Sequence, residues 1–239
     1  MTNANHKLNK SRIYEVLETL NNTYPKAKIA LIYSNPWELL VAVILSAQCT
    51  DRIVNKVTSD LFRKYKSIDE YAKCNIKELE KDIKSAGFFR TKSKYIVACA
   101  KIVTSDYKNR VPDSMQELLL LPGIARKTAN VILGNAYQVI EGIAVDTHVL
   151  RISQRLRLVN IDSIRGRKIK YVNSKNKNRI DYKKDASPLM VETELMQIIS
   201  YKDWFGFTYK IIDHGRRTCV AINPKCDECP MSELCPSRR

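Results

Sequence analysis

A lysine, an aspartate and four cysteines are the residues of this chain whose types and spacing could do chemistry. Lys127 lies four residues beyond Gly123 in the run Leu121-Pro122-Gly123-Ile124-Ala125-Arg126-Lys127-Thr128-Ala129-Asn130. The first N–H groups of a helix have no intrahelical partner and carry partial positive charge, so a helix beginning here suits a phosphate. The macrodipole disfavours a cation in that turn, and a residue that breaks a local rule invites a functional reading. Neighbouring positive charge lowers an amine's pKa and leaves more free base to act as a nucleophile. The plainer alternative is a solvated or phosphate-touching side chain. Asp146, in Val145-Asp146-Thr147-His148, can cap a following helix. Cys219-x6-Cys226-x2-Cys229-x5-Cys235 demands a metal, and zinc and a [4Fe–4S] cluster take the same four thiols. His6, His148 and His214 are too scattered to form a separate zinc site.

The elements that must position these groups read as helices. Asp113 with Gln116 forms a capping-box-like start to an apolar helix Met115 to Leu121, which Pro122-Gly123 ends. A second helix runs from about Ala125 to Ala136, so a tight hairpin joins the two. Upstream, Ile13, Val16, Leu17 and Leu20 follow helical spacing and predict an amphipathic helix from Ser11 to about Tyr24. Asn35 as N-cap, Pro36 and Glu38 start Trp37 to Gln48, whose apolar run Leu39 to Leu45 predicts a central buried helix. Helices follow at Arg52 to Tyr65, at Ile68 to Lys73 capped by Ser67 with Glu70, and at Ile76 to Ala86 starting at Asn75 with Glu78 and stopping at Gly87. That stop leaves Phe88-Phe89 in an exposed turn before a helix from Lys94 to Asp106. Thr147 to about Leu156 forms the helix capped by Asp146, and further helices lie at about Met190 to Ile199 and Thr208 to Arg217. No stretch shows sustained strand alternation, so the fold class is all-α.

The net charge of +16, from 41 basic and 25 acidic residues, predicts an anionic partner, nucleic acid before a membrane surface. Residues Arg165 to Lys184 hold nine basic residues and one acidic and predict a basic loop or short hairpin that either adds nonspecific DNA affinity or is merely solvated. The polar N-terminus and the lack of a membrane-length apolar run predict an intracellular protein. Cys49, Cys74 and Cys99 fall in helical patterns and read as buried or free thiols.

Leu-Pro-Gly-Ile-Ala-Arg-Lys-Thr-Ala-Asn at 121–130, Val-Asp-Thr-His at 145–148 and the cysteine cluster after His214-Gly215-Arg216-Arg217-Thr218 resemble, in order and spacing, endonuclease III of the helix-hairpin-helix DNA glycosylases. The likeness spans about Ile29 to Cys235. It departs at Ala125, where the family usually has a second hairpin glycine, and at the basic segment near 161–188, which is longer than the usual connection.

The resemblance implies two lobes, with a six-helix barrel-like domain at 29–139 carrying the hairpin. Segments 1–28 and 140–239 would form a discontinuous [4Fe–4S] cluster domain, with Cys219, Cys226, Cys229 and Cys235 as ligands. It implies a bifunctional glycosylase and abasic-site lyase that removes oxidised pyrimidines from double-stranded DNA, Lys127 being the nucleophile and Asp146 the supporting carboxylate. Gln48 would enter the gap left by a flipped nucleotide and Phe88 would wedge the stack. Leu121, Gly123, Ala125 and Arg126 of the hairpin, with His148 and Arg151 beyond it, would meet the DNA, and the protein would act as a monomer. Arg155, one turn beyond Arg151, is a further candidate phosphate contact. The rival readings are a monofunctional mismatch glycosylase and a noncatalytic helix-hairpin-helix DNA-binding protein.

Overall fold

The structure, a computed structural model, describes residues 10–172 and 179–239. Its described residues form eleven helices and one two-stranded sheet. They separate into two compact units, one of Ile29–Glu141 and one of residues 10–28 with Gly142–Arg239. Among the described residues, no helix is long and apolar enough to cross a membrane.

In the contiguous unit, α2 (Pro36–Ser46) is the axis. Its polar content is confined to its ends: Asn35 Oδ1 accepts the Glu38 amide at 2.9 Å, and Glu38 in turn accepts the Ser34 amide at 2.6 Å. From Leu39 to Leu45 every residue is buried. Each such aliphatic side chain contributes ~1.5–3 kcal/mol when removed from water. A helix without a polar face must be surrounded, and α3 (Asp51–Lys64), α6 (Phe89–Asp106) and α8 (Arg126–Ile132) pack against it. Between them come α4 (Ile68–Lys73), which lies on α6, α5 (Ile76–Asp82) with a 3-10 turn at Lys84–Ala86, and α7 (Met115–Leu118).

Several boundaries differ from the sequence expectations for local reasons. The box that starts α7 is Ser114 with Glu117, not Asp113 with Gln116. Ser114 Oγ accepts the Glu117 amide and donates to its carboxylate, while Asp113 pairs with Arg110. The Asn75 side chain caps α5 by accepting the Lys77 amide, while the Glu78 amide goes to the Asn75 carbonyl. α6 begins at Phe89, five residues before the expected start, because a single left-handed residue, Phe88, completes the turn. α8 continues through a π-helical turn at Leu133–Tyr137, where the Asn135 side chain donates to the Val131 carbonyl.

In the second unit, α1 (Lys10–Thr23), α9 (Thr147–Arg155), α10 (Pro188–Ile198) and α11 (Trp204–Arg217) share one core. Val16, Leu20, Val149, Ile152, Val191, Leu195, Phe207 and Ile211 build it, and Cys219, Cys229 and Cys235 pack at its edge. The basic segment contains an antiparallel pair, β1 (Ile169–Tyr171) and β2 (Ile180–Lys183), the second of the two forms, loop or short hairpin, expected there; residues 173–178 of that stretch lie outside the described residues.

Tyr137 offers a test of the first unit. Its hydroxyl donates to the Val111 carbonyl at 2.5 Å, and burial pushes its pKa up to about 12. A folded-state pKa above the unfolded value near 10 means that the stability tied to neutral Tyr137 is complete below about pH 10 and is lost as pH rises through 12. Denaturant titrations at pH 9 and pH 11 should therefore show a drop that is smaller in Tyr137→Phe. An equal drop in both proteins would remove Tyr137 as its source.

Candidate functional site

The hairpin between α7 and α8 turns on Gly123, whose φ is +81°. A β-carbon there would stand 2.5 Å from the Tyr95 ring, so backbone conformation and packing both require glycine. The amide of Ile124 donates to the Leu121 carbonyl, and Cys99 Sγ donates to the carbonyl of Pro122 at 3.2 Å, which fixes the turn to α6. Burial pushes the Cys99 thiol up to about 12, so it serves as a protonated donor. Ala125 has φ −103°, an extended conformation open to any L-residue. The missing second glycine therefore leaves the turn intact.

Gly123 and Ala125 are exposed, and Arg126 and Lys127 are half-buried in the first turn of α8. Leu121 is only 2% exposed, so its side chain belongs to the core and only its backbone can face a ligand.

Two other expected contacts of this unit share a feature that the sequence did not reveal. Gln48 (φ +53°) and Phe88 (φ +46°) are both non-glycine residues in the left-handed region, and both are exposed, Phe88 by 64%. Such backbone is strained and persists only where neighbours enforce it. Lys92, 3% exposed, donates from its Nζ to the Leu45 carbonyl at 2.8 Å and the Ala86 carbonyl at 2.9 Å, each close in the chain to one of the two. It thereby ties the end of α2 to the turn before Phe88. Burial lowers its pKa. A lysine in a helical pattern ordinarily reads as solvated, which is why sequence reasoning missed it.

In the second unit, Asp146 caps α9: its Oδ1 accepts the amides of His148 and Val149, each at 2.8 Å. The cap leaves Oδ2 of the half-buried carboxylate for other work. The His148 ring lies against Gly215 of α11 and has Nδ1 3.3 Å from Arg151 Nη2. Arg151 and Arg155, expected at the surface, are buried instead. They are 6% and 2% exposed, and Arg151 donates to the Cys219 carbonyl at 2.9 Å, because the helix face they occupy turns inward. His214, also buried, is held neutral with a pKa near 4 by burial and by Arg151; its Nδ1 lies 3.0 Å from the Tyr24 hydroxyl and its Nε2 3.8 Å from Cys229 Sγ.

Cys219, Cys226, Cys229 and Cys235 line one pocket, and none is in a disulfide. Among the described residues, no three His, Cys, Asp or Glu side chains converge as ligands of a single metal ion. Four thiols around a shared space are a ligand set that an iron–sulfur cluster takes. Burial pushes the Cys229 thiol up to about 11, so positive charge from bound iron is what would hold it as a thiolate.

The chain matches the family described as HhH-GPD superfamily base excision DNA repair protein over residues 41–176, and the iron-sulfur binding domain of endonuclease III over residues 219–235. Endonuclease III of Synechocystis sp. is 42% identical, with 95% of this chain and 93% of that protein covered. The Bacillus subtilis endonuclease III is 41% identical with the same coverage. A solved structure of a trapped endonuclease III–DNA covalent intermediate is 39% identical and covers 96% of this chain and 97% of that one, with a TM-score of 0.83.

The hairpin geometry sets a pair of expected outcomes. Gly123→Ala should lose about 1–2 kcal/mol from left-handed strain alone, with more from displacing Tyr95. Ala125→Gly should change stability by less than about 1 kcal/mol. Chemical denaturation of the two variants would refute this account of the turn if their order were reversed.

Proposed function

The chain belongs to the endonuclease III family of HhH-GPD base excision DNA repair proteins, and from that membership we propose how its own residues divide the work of a bifunctional DNA glycosylase and abasic-site lyase that removes oxidised pyrimidines. Its substrate is double-stranded DNA carrying a damaged base or an abasic site, and it acts as an intracellular monomer.

Likeness to an endonuclease III trapped covalently on DNA, over 96% of this chain, carries the reading. A covalent adduct needs a nucleophile, and Lys127 offers an amine in the first turn of α8, just past a hairpin whose shape Gly123 and Tyr95 enforce. Lys127 attacks the anomeric carbon of the damaged nucleotide and the base departs with a proton. The opened sugar and the amine form a Schiff base. Loss of a proton from the adjacent sugar carbon then expels the 3′ phosphate, and water hydrolyses the imine to restore the lysine. Asp146, with Oδ1 occupied by the cap of α9, uses its second oxygen to steer protons and support positive charge on the sugar.

Exposed hairpin amides at Gly123 and Ala125, with Arg126, receive backbone phosphates. Gln48 and Phe88, presented by strained backbone, fill the space that the flipped nucleotide leaves. The cofactor is a [4Fe–4S] cluster, whose ligands we assign to Cys219, Cys226, Cys229 and Cys235. When bound, it supplies a rigid, charge-compensated cross-link for the loop, and nothing in the reaction passes through it.

The chemistry is tested by incubating wild type and Lys127→Ala with a duplex containing thymine glycol and adding borohydride. Wild type should give a covalent band and a 3′ nick, and the variant neither. Strand binding without an adduct from wild type would point to a binding protein, and base release without a nick to a monofunctional enzyme.

A further inference from the structure

The stretch Arg165 to Lys184 carries one acidic residue among nine basic ones, and that residue is buried. Asp181 is 1% exposed although it lies in β2, on a hairpin rich in lysine and arginine. The strand register explains how. Lys170 pairs with Tyr182 and Tyr171 with Ile180, so Asp181 is an extra residue at a β-bulge. Strict alternation would send Asp181 and Tyr182 to opposite faces, whereas the bulge lets both turn inward and both are buried.

Their common target is Arg155, the last residue of α9. Asp181 accepts Arg155 Nε at 2.9 Å and Nη2 at 2.8 Å, a two-pronged ion pair, and the Tyr182 ring lies 5.3 Å from the guanidinium carbon. The remaining donors of Arg155 all point at the cysteine loop: Nη1 to Cys219 Sγ at 3.3 Å and the Val220 carbonyl at 2.8 Å, and Nη2 to the Ala221 carbonyl at 3.2 Å. All five N–H groups are thus assigned. The other end of the loop is held by the same hairpin. Arg179 donates to the carbonyls of Pro236 and Arg238, and Arg239 pairs with Asp181 at 3.0 Å.

We propose that this hairpin is a clasp for the iron–sulfur loop and that Asp181 is a positioning residue, which aims Arg155 at the Cys219 sulfur and so sets both the lifetime and the potential of the cluster. A donor to a ligating sulfur raises the reduction potential, and partners that orient ligands govern metal retention, typically by 10–100-fold. Two isolated buried charges would be intolerable, so the carboxylate and guanidinium depend on each other.

The inference rests on Cys219 being a cluster ligand, so iron is first counted in wild-type protein; absence of iron would overturn the cofactor assignment and this inference together. In iron-loaded protein, bleaching of the cluster absorbance under a chelator gives the lifetime, and film voltammetry gives the potential. Asp181→Asn is expected to shorten the lifetime about tenfold. The double variant Arg155→Met with Asp181→Leu removes the buried pair and leaves only the part-exposed Arg239 without its carboxylate, so it should fold. It should still lose the cluster about tenfold faster and show a lower potential. Lys170→Gln, an exposed change on the same hairpin, should match wild type. A lifetime within twofold of wild type in Asp181→Asn, or an unchanged potential in the double variant, overturns the proposal.

Discussion

Everything in the hairpin-bearing unit depends on the burial of α2. Because the helix from Leu39 to Leu45 has no side that water can occupy, α3, α6 and α8 are forced around it, and two of them bring pieces of the candidate site. α6 supplies Tyr95, Cys99 and Lys92; α8 supplies Lys127; the end of α2 itself leads into Gln48. Apolar burial is non-directional and cannot place a side chain to a fraction of an ångström. That part is done by a few directional contacts at the rim, namely the Lys92 bonds to two helix-end carbonyls and the Cys99 bond to Pro122. Removing the apolar axis would scatter the site, while removing a rim contact would blur it.

The second unit solves a different problem. Its functional groups are charged or become so, and they lie within or beside a core. Arg151, Arg155 and His214 are all buried near the cysteine loop. Loop carbonyls accept from both arginines and Asp181 pairs with Arg155, and the imidazole stays neutral. Clustering cations around four thiols makes sense electrostatically only if the thiols carry negative charge when loaded. The same arginines explain why α9 can be short: its Asp146 end is closed by the cap, and its Arg155 end by hydrogen bonds to the loop and the hairpin.

Helices and their caps were largely legible in the sequence, since spacing and Asn35, Ser67 and Asp146 signal them directly. The turn glycine was legible too. What escaped was of two kinds. One was local competition among equivalent capping residues: Ser114 and Asp113 are neighbours with similar chemistry, and only the register of the following turn selects between them. The other was nonlocal. Nothing local distinguishes the buried Arg151, Arg155, Lys92 and Asp181 from their solvated counterparts, because each has a partner between 26 and 68 positions away. The Ala125 substitution looked consequential because glycine usually means positive φ, yet the backbone there needs none.

The nonlocal bonds also say why the basic segment is sewn into its unit instead of left as a loose arm. That unit is assembled from chain ends: Arg12 of α1 reaches the Leu156 carbonyl 144 positions away and the Leu234 carbonyl 222 positions away. Closing such loops is entropically expensive before any contact forms, and a cysteine-rich loop with little secondary structure offers little apolar burial in return. A hairpin that pairs with Arg155 at one end of that loop and satisfies carbonyls at the other lowers its freedom without requiring more core. The contiguous unit needs no such device, because its helices follow one another and meet early. A longer basic connection is therefore consistent with a structural need in this unit, quite apart from any attraction to phosphate.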